Sequence, residues 1–161
     1  MKLPKINFTK LEKLYVSLFV VSILAGLAFG FIDKTYYKCC EDAIGVPAGG
    51  TSPIKIFADN YLISMSELIT IGISSMYFNF HTFSVASSYL NAQGTLWILP
   101  IVFLIGIFEL VGAICMGLVG FVFIEKKFLK IKSKLDSELL FFYGTGLIFI
   151  GAVIEYFLIS I

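Results

Sequence analysis

The sequence predicts an all-α membrane protein, a polytopic helical bundle of about five membrane segments, one of them short or re-entrant. The chain has 161 residues, of which 58% are hydrophobic and 14% are charged. A soluble domain of this length could not hide so much apolar surface in one core, so lipid must cover the rest. Runs of roughly 20 apolar residues, enough for a helix to cross a bilayer core of about 30 Å, recur along the chain.

We interpret residues 1–161 as a single transmembrane domain. The predicted membrane segments are 14–32, 54–78, 80–93 (short or re-entrant), 96–124 and 139–161. An extracytoplasmic loop over 33–53 is rich in glycine and proline, and a basic cytoplasmic loop covers 125–138. Thr9 and Glu12 have the capping-box spacing that begins a helix just before the first segment. We interpret that segment as a retained span rather than a secretory signal peptide.

The distribution of basic residues predicts the orientation in the membrane. All 12 basic residues are lysines, and most of them lie near the N-terminus or in the basic loop. Cytoplasmic loops carry lysine in excess, so we expect a multi-pass protein of the cell membrane with a cytoplasmic N-terminus. An even number of crossings must then separate the two clusters. This holds if 80–93 crosses the membrane, which we prefer, or if 96–124 turns back near Gly106.

The basic loop contains apolar residues at helical spacing, namely Phe128, Ile131 and Leu135. Two interpretations stay open: a short basic helix on the anionic cytoplasmic leaflet, or a solvated linker. The candidate membrane-surface residues are Lys126, Lys127, Lys130, Lys132 and Lys134.

Three acids, Glu67, Glu109 and Glu155, lie within long apolar stretches of the sequence. Each costs about 2.5–3.5 kcal/mol at a helix centre on insertion scales, and the chain has no arginine to neutralise them. They must be protonated, face water, coordinate a cation or accept hydrogen bonds. Together with nearby amides and the single histidine, they form the candidate ion or polar site: Glu109, Glu155, Asn60, Asn79, Glu67 and His81. The alternative is that the acids are neutral and only hydrogen-bond helix to helix.

Small residues are spaced so that helices can approach closely, and we interpret them as packing positions that favour a homodimer. These residues are Gly26, Gly30, Gly106, Gly112 and Gly117. Cys39 and Cys40 would bridge two copies only if their loop faces an oxidising compartment. The expected partners are the lipid bilayer, a second copy of the chain and other membrane proteins. We expect no nucleic acid and no cofactor.

Enzyme motifs are missing from the sequence. The chain has no HExxH metalloprotease helix, no GxSxG serine elbow and no P-loop, so we predict that it is not an enzyme. The favoured hypothesis is a membrane protein whose buried carboxylates form a cation or proton site, as in a channel or transporter. The alternative hypothesis is a scaffold that recruits partner proteins, with purely structural acids.

Several short motifs occur in a definite order from about residue 54 to the end. Asn60 lies near the start of the second segment, and Asn79 follows that segment. Pro100 precedes the stretch Gly-Ile-Phe-Glu-Leu at 106–110. The last segment ends with Gly-Ala-Val-Ile-Glu-Tyr-Phe at 151–157. This order resembles the stage II sporulation protein M family of small bacterial and archaeal membrane proteins. The family has a histidine directly before the Gly-Ile-Phe-Glu stretch, where this chain has isoleucine. The resemblance implies a helical membrane fold with buried polar residues and, for the named member, a complex with peptidoglycan-degrading partners during engulfment.

Overall fold

The computed structural model describes residues 8–40, 52–70 and 72–159, and all regular structure in these ranges is helical. The α-helices are α1 (Lys10–Ile32), α2 (Pro53–Ile69), α3 (Ile73–Ala92), α4 (Leu99–Lys127) and α5 (Ser137–Ile159), and short 3-10 helices lie at Tyr36–Cys40 and Leu96–Ile98. The predicted all-α bundle is confirmed.

The first helix begins where its cap predicts. Thr9 Oγ1 accepts a hydrogen bond from the Glu12 backbone N–H at 3.1 Å, and the Glu12 carboxylate accepts one from the Thr9 N–H at 2.7 Å. These two bonds satisfy backbone donors that a helix N-terminus otherwise leaves free. The predicted capping box is therefore confirmed.

Helices α1 and α3 lie side by side and run parallel. The Tyr15 hydroxyl is 3.4 Å from Ser75 Oγ near the start of both helices. The Asn91 amide donates to the Phe31 carbonyl near the end of both, at 2.7 Å. Helix α2 runs antiparallel to α3: a tight turn at Gly72 joins the two helices, and Ser66 Oγ near the end of α2 lies 3.3 Å from Ser74 Oγ near the start of α3.

Helix α4 runs antiparallel to both α1 and α5. Thr9, directly before α1, hydrogen-bonds to Glu125 near the end of α4. Gly151, near the end of α5, lies against the side chain of Glu109 in the first half of α4. The start of α1 and the loop between α4 and α5 therefore lie at the same end of the bundle. We call this the lysine end, since Lys10 and Lys13 in the first turns of α1 and the lysines of residues 126–134 lie there.

Three helices are long and apolar enough to cross a bilayer, in the part of the chain that the structure describes. They cover Lys10–Ile32, Gly106–Lys127 and Ser137–Phe157. Large apolar side chains on these helices point outward, such as Leu24 at 59% exposure and Phe142 at 72%. Such surfaces are unfavourable in water and suit lipid. The sequence predicted about five membrane segments, but only these three helices are long and apolar enough. Helix α2 has only 17 residues, and α3 carries many polar side chains.

The predicted boundary between the second and third segments is wrong. The second segment was expected over 54–78, whereas α2 ends at Ile69 and α3 begins at Ile73. Gly72 adopts a left-handed backbone conformation with a φ of 73°, which favours glycine, and its N–H donates to the Glu67 carbonyl at 2.6 Å. The short segment expected over 80–93 is therefore part of a full helix of 20 residues.

The remaining boundaries agree with the predictions to within a few residues. Helix α4 continues through Gly106, so the alternative in which segment 96–124 turns back there is wrong. The basic loop is irregular after Lys127, so the amphipathic surface helix is also wrong. Instead the loop folds back on the bundle: Leu135 packs against the hydrophobic core, and its carbonyl accepts a hydrogen bond from Lys126 Nζ at 3.0 Å.

The opposite end of α1 is followed by a polar turn. Thr35 donates to Asp33 Oδ1 through its hydroxyl at 2.7 Å and through its backbone N–H at 2.9 Å. These hydrogen bonds hold the pKa of Asp33 below its ordinary value. An ionised carboxylate directly after Ile32 is consistent with a membrane boundary at this point.

Glycines allow the closest helix contacts in the bundle. A Cβ at Gly26 would collide with the carbonyl oxygen of Phe80, and one at Gly30 with that of Ser84. The face that we expected to mediate a homodimer is therefore occupied by α3 of the same chain. Of the other packing glycines, Gly112 faces the α5 backbone and Gly117 faces Tyr15, whereas Gly106 has no neighbour within 4 Å.

Replacing Gly30 by alanine should destabilise the protein. The added methyl group meets backbone atoms of Ser84 and Ser88, which cannot rotate away, so we expect a loss of about 1–3 kcal/mol or more. The unfolding midpoint in detergent micelles measures this. Gly146→Ala is the matched control, because a Cβ there meets nothing within 4 Å. Equal midpoints for the two variants would contradict the close α1–α3 contact.

Candidate functional site

A polar cluster lies where α2, α4 and α5 meet. Asn60 Nδ2 donates to Glu109 Oε1 at 2.7 Å. The Glu109 and Glu155 carboxyl groups are within hydrogen-bond distance of each other, and Asn60 also contacts Glu155. We call this cluster the triad. It joins three of the residues that the sequence indicated as the candidate site.

The packing of α4 against α5 places the two acids of the triad together. A Cβ at Gly112 would collide with Ile148 and with the Gly144 carbonyl, so the two helices approach to backbone contact. Gly151 lies one turn before Glu155 and leaves room for the Glu109 side chain, whose Cγ occupies the space of a missing Cβ. The spacing of small residues therefore determines how far apart the carboxyl groups lie.

The electrostatics of the triad are unusual for such apolar helices. Glu109 and Glu155 both lie within helices that are apolar enough to cross a bilayer. Two carboxyl groups in contact need a proton or a cation between them, because two bare carboxylates repel each other. The amide of Asn60 donates a hydrogen bond but supplies no positive charge. The triad can therefore bind one proton or one small cation.

Two other predicted site residues are buried elsewhere and are not hydrogen-bonded to the triad. Glu67 is 2% exposed and Asn79 is 8% exposed. Within the described part of the chain, Glu67 Oε2 and Asn79 Nδ2 have no hydrogen-bond partner. Glu67 lies close enough to Tyr15 to act on its phenol electrostatically. Glu67 therefore lies with Tyr15, nearer the lysine end than the triad.

His81 belongs to a third environment. Its Nδ1 lies 3.1 Å from the Tyr36 hydroxyl, and its ring stacks on that of Tyr77. Tyr36 belongs to the 3-10 helix after α1, so this contact holds that connection against α3. His81 is therefore held between two tyrosines, Tyr36 and Tyr77.

The serines of α3 contribute to helix packing. Ser84 donates to the Phe80 carbonyl of its own helix, as serines in membrane helices commonly do. Ser87 and Ser88 instead donate across the interface, to the carbonyls of Leu27 at 2.9 Å and Asp33 at 2.7 Å. These bonds between helices explain why a helix so rich in polar residues packs closely on the apolar α1.

Sequence reasoning missed a contact between Glu12 and Glu125. Both side chains are fully buried at the lysine end, and their carboxyl groups touch. Glu12 is recognisable as part of a capping box, and Glu125 as the end of an apolar run. The lysine clusters that indicate a shared side of the membrane also indicate that these two acids lie at the same end.

Two sequence predictions concern regions with limited structural description. The side chains of Cys39 and Cys40 lie outside the described residues, as does the loop over 41–51, so a bridge between copies stays a prediction. Cys115 is free and half-buried. The five lysines of the basic loop are exposed.

Comparisons of the chain with protein-family models, curated proteins and solved structures find no match.

Asn60 and Glu109 should be coupled energetically. In a double-mutant cycle with Asn60→Ala and Glu109→Ala, we expect a coupling of about 1 kcal/mol, since their hydrogen bond is short and partly buried. Reversible unfolding in mixed micelles gives the four free energies. The control cycle pairs Asn60→Ala with Glu67→Ala, which share no hydrogen bond, and should be additive to about 0.3 kcal/mol. Equal coupling in both cycles would argue against the triad.

Proposed function

We propose that this is a non-enzymatic membrane protein whose triad binds a proton or small cation and passes it across the bilayer. The observation that carries the proposal is the contact of Glu109 with Glu155 inside membrane-crossing helices, with Asn60 donating to Glu109. Ionisable residues at this depth are costly, and proteins that retain them commonly use them to move protons or ions.

The arrangement of donors supports a transport role. Asn60 offers an amide N–H to Glu109, and its amide oxygen is a further ligand of the kind that hard cations accept. The two carboxyl groups come from different helices, so binding and release of positive charge would change the attraction between α4 and α5. A site that bridges two helices in this way can couple occupancy to helix movement.

The competing proposal is a scaffold that recruits partner proteins, in the manner of the sporulation family that the sequence resembles. In that protein the triad would only lock helices together, as a neutral hydrogen-bonded pair. Replacing one acid by glutamine would then alter stability alone. A transport measurement separates the two proposals.

Flux through the purified protein in liposomes tests the transport proposal. We expect proton, Na⁺ or K⁺ flux above that of empty liposomes, measured with a trapped pH dye or ion-sensitive dye. Glu109→Gln and Glu155→Gln should reduce that flux to background, since glutamine cannot carry the charge. Glu138→Gln, which removes an exposed acid at the start of α5, is the matched control and should retain it. Absent flux, or unchanged flux in both triad variants, contradicts transport.

We further propose that the lysine end faces the cytoplasm, because basic residues are retained on that side. In a background without native cysteines, Lys130→Cys should react with a membrane-impermeant maleimide only after cells are permeabilised. Lys34→Cys, at the opposite end of the bundle, should react in intact cells. Both positions are exposed, so accessibility within the fold is matched. The reverse pattern would invert the orientation.

A further inference from the structure

The lysine end holds a second pair of acids, remote from the triad. Glu12, in the first turn of α1, and Glu125, in the last turn of α4, are each 0% exposed. Their carboxyl groups lie within hydrogen-bond distance of each other. The two residues are far apart in sequence, so their contact depends on the packing of the bundle.

Two hydroxyl groups complete the surroundings of this pair. Thr9 Oγ1 donates to Glu125 Oε1 at 2.6 Å, and Ser133 Oγ donates to Glu12 Oε1 at 2.5 Å. The second oxygen of Glu12 accepts the backbone N–H of Thr9 at 2.7 Å. The second oxygen of Glu125 is fully buried and, within the described part of the chain, accepts no hydrogen bond from an N–H or hydroxyl group. Such an oxygen can bind a positively charged ligand or share a proton with the other acid.

The lysines that follow Glu125 are directed elsewhere. Lys126 Nζ donates to the Leu135 carbonyl at 3.0 Å, and Lys127 Nζ lies 5.2 Å from the centre of the Phe123 ring. Neither ammonium group therefore neutralises the acid pair. Two carboxyl groups in contact in a buried pocket need a cation or a shared proton between them.

We propose that Glu12, Glu125, Thr9 and Ser133 form a binding site for a hard divalent cation, Mg²⁺ or Ca²⁺. Two carboxylates match the charge of a divalent ion, and the hydroxyl oxygens offer further lone pairs. Oxygen ligands of this kind select hard cations. The four residues offer only carboxylate and hydroxyl oxygens, and none of them carries the sulfur or imidazole that transition metals prefer.

The cation would join three separate segments. Thr9 and Glu12 belong to the start of α1, Glu125 to the end of α4, and Ser133 to the loop that leads into α5. An ion bound by all three stabilises the contact between α1 and α4 and keeps the loop folded against the bundle. This site is independent of the triad, because the two share no residue.

Thermal unfolding of the full chain in detergent at pH 8 tests the proposal. After treatment with EDTA, titration with MgCl₂ or CaCl₂ should raise the unfolding midpoint, by about 5 °C at roughly 100 times the dissociation constant. Glu125→Gln should abolish this rise, while its midpoint in EDTA should exceed that of the native chain, since one repelling charge is gone. Ser133→Ala, which retains both acids, should weaken the rise.

Two controls make the outcome specific. Glu138→Gln removes an exposed acid at the same end and should retain the full cation response. The double variant Glu109→Gln, Glu155→Gln should also retain it, whatever its effect on flux. Loss of the response in the double variant would assign the cation to the triad and overturn the proposal. The proposal is also overturned if neither cation changes the unfolding midpoint of the native chain while a lower pH raises it. In that case a shared proton holds the two carboxyl groups together.

Discussion

Backbone contact between helices at glycine determines the geometry of this bundle. Lipid removes the hydrophobic force that drives helices together in water, so close packing and hydrogen bonds must supply it. At Gly30 the backbone of α1 touches that of α3, and at Gly112 the backbone of α4 touches that of α5. The first contact brings serine hydroxyls within reach of α1 carbonyls. The second brings the carboxyl groups of Glu109 and Glu155 together.

The same constraint explains which parts of the molecule could be predicted from its sequence. Apolar runs and the spacing of Thr9 and Glu12 determine the helical membrane class and the start of α1, because both depend on local composition. The grouping of Asn60, Glu109 and Glu155 was also predictable, since isolated polar groups in apolar helices must find each other. The contact between these three residues could not be predicted, because it depends on which helices pack together.

Other features could not be read from local composition. The turn at Gly72 lies within continuous apolar sequence, so a hydropathy pattern runs through it and predicts one helix where two exist. The loop after Lys127 has helical spacing of apolar residues, but Leu135 is held by the core and Ser133 by Glu12. Long-range contacts override the local helical preference there. The pairing of Glu12 with Glu125 likewise appears only when α1 and α4 are brought side by side.

The positions of the triad and of the Glu12–Glu125 pair limit the route that a transported ion could take. Glu109 and Glu125 are separated by about 24 Å along α4, so Glu125 lies at the lysine end and Glu109 lies in the other half of the helix. Tyr15 fills the interior between them: it is 0% exposed, and its ring lies where a Cβ at Gly72 or Gly117 would be. A polar path from the triad to the lysine end is closed while the phenol keeps this position. If the triad passes an ion as proposed, a route along α4 past Gly117 would open only when the Tyr15 ring leaves this contact.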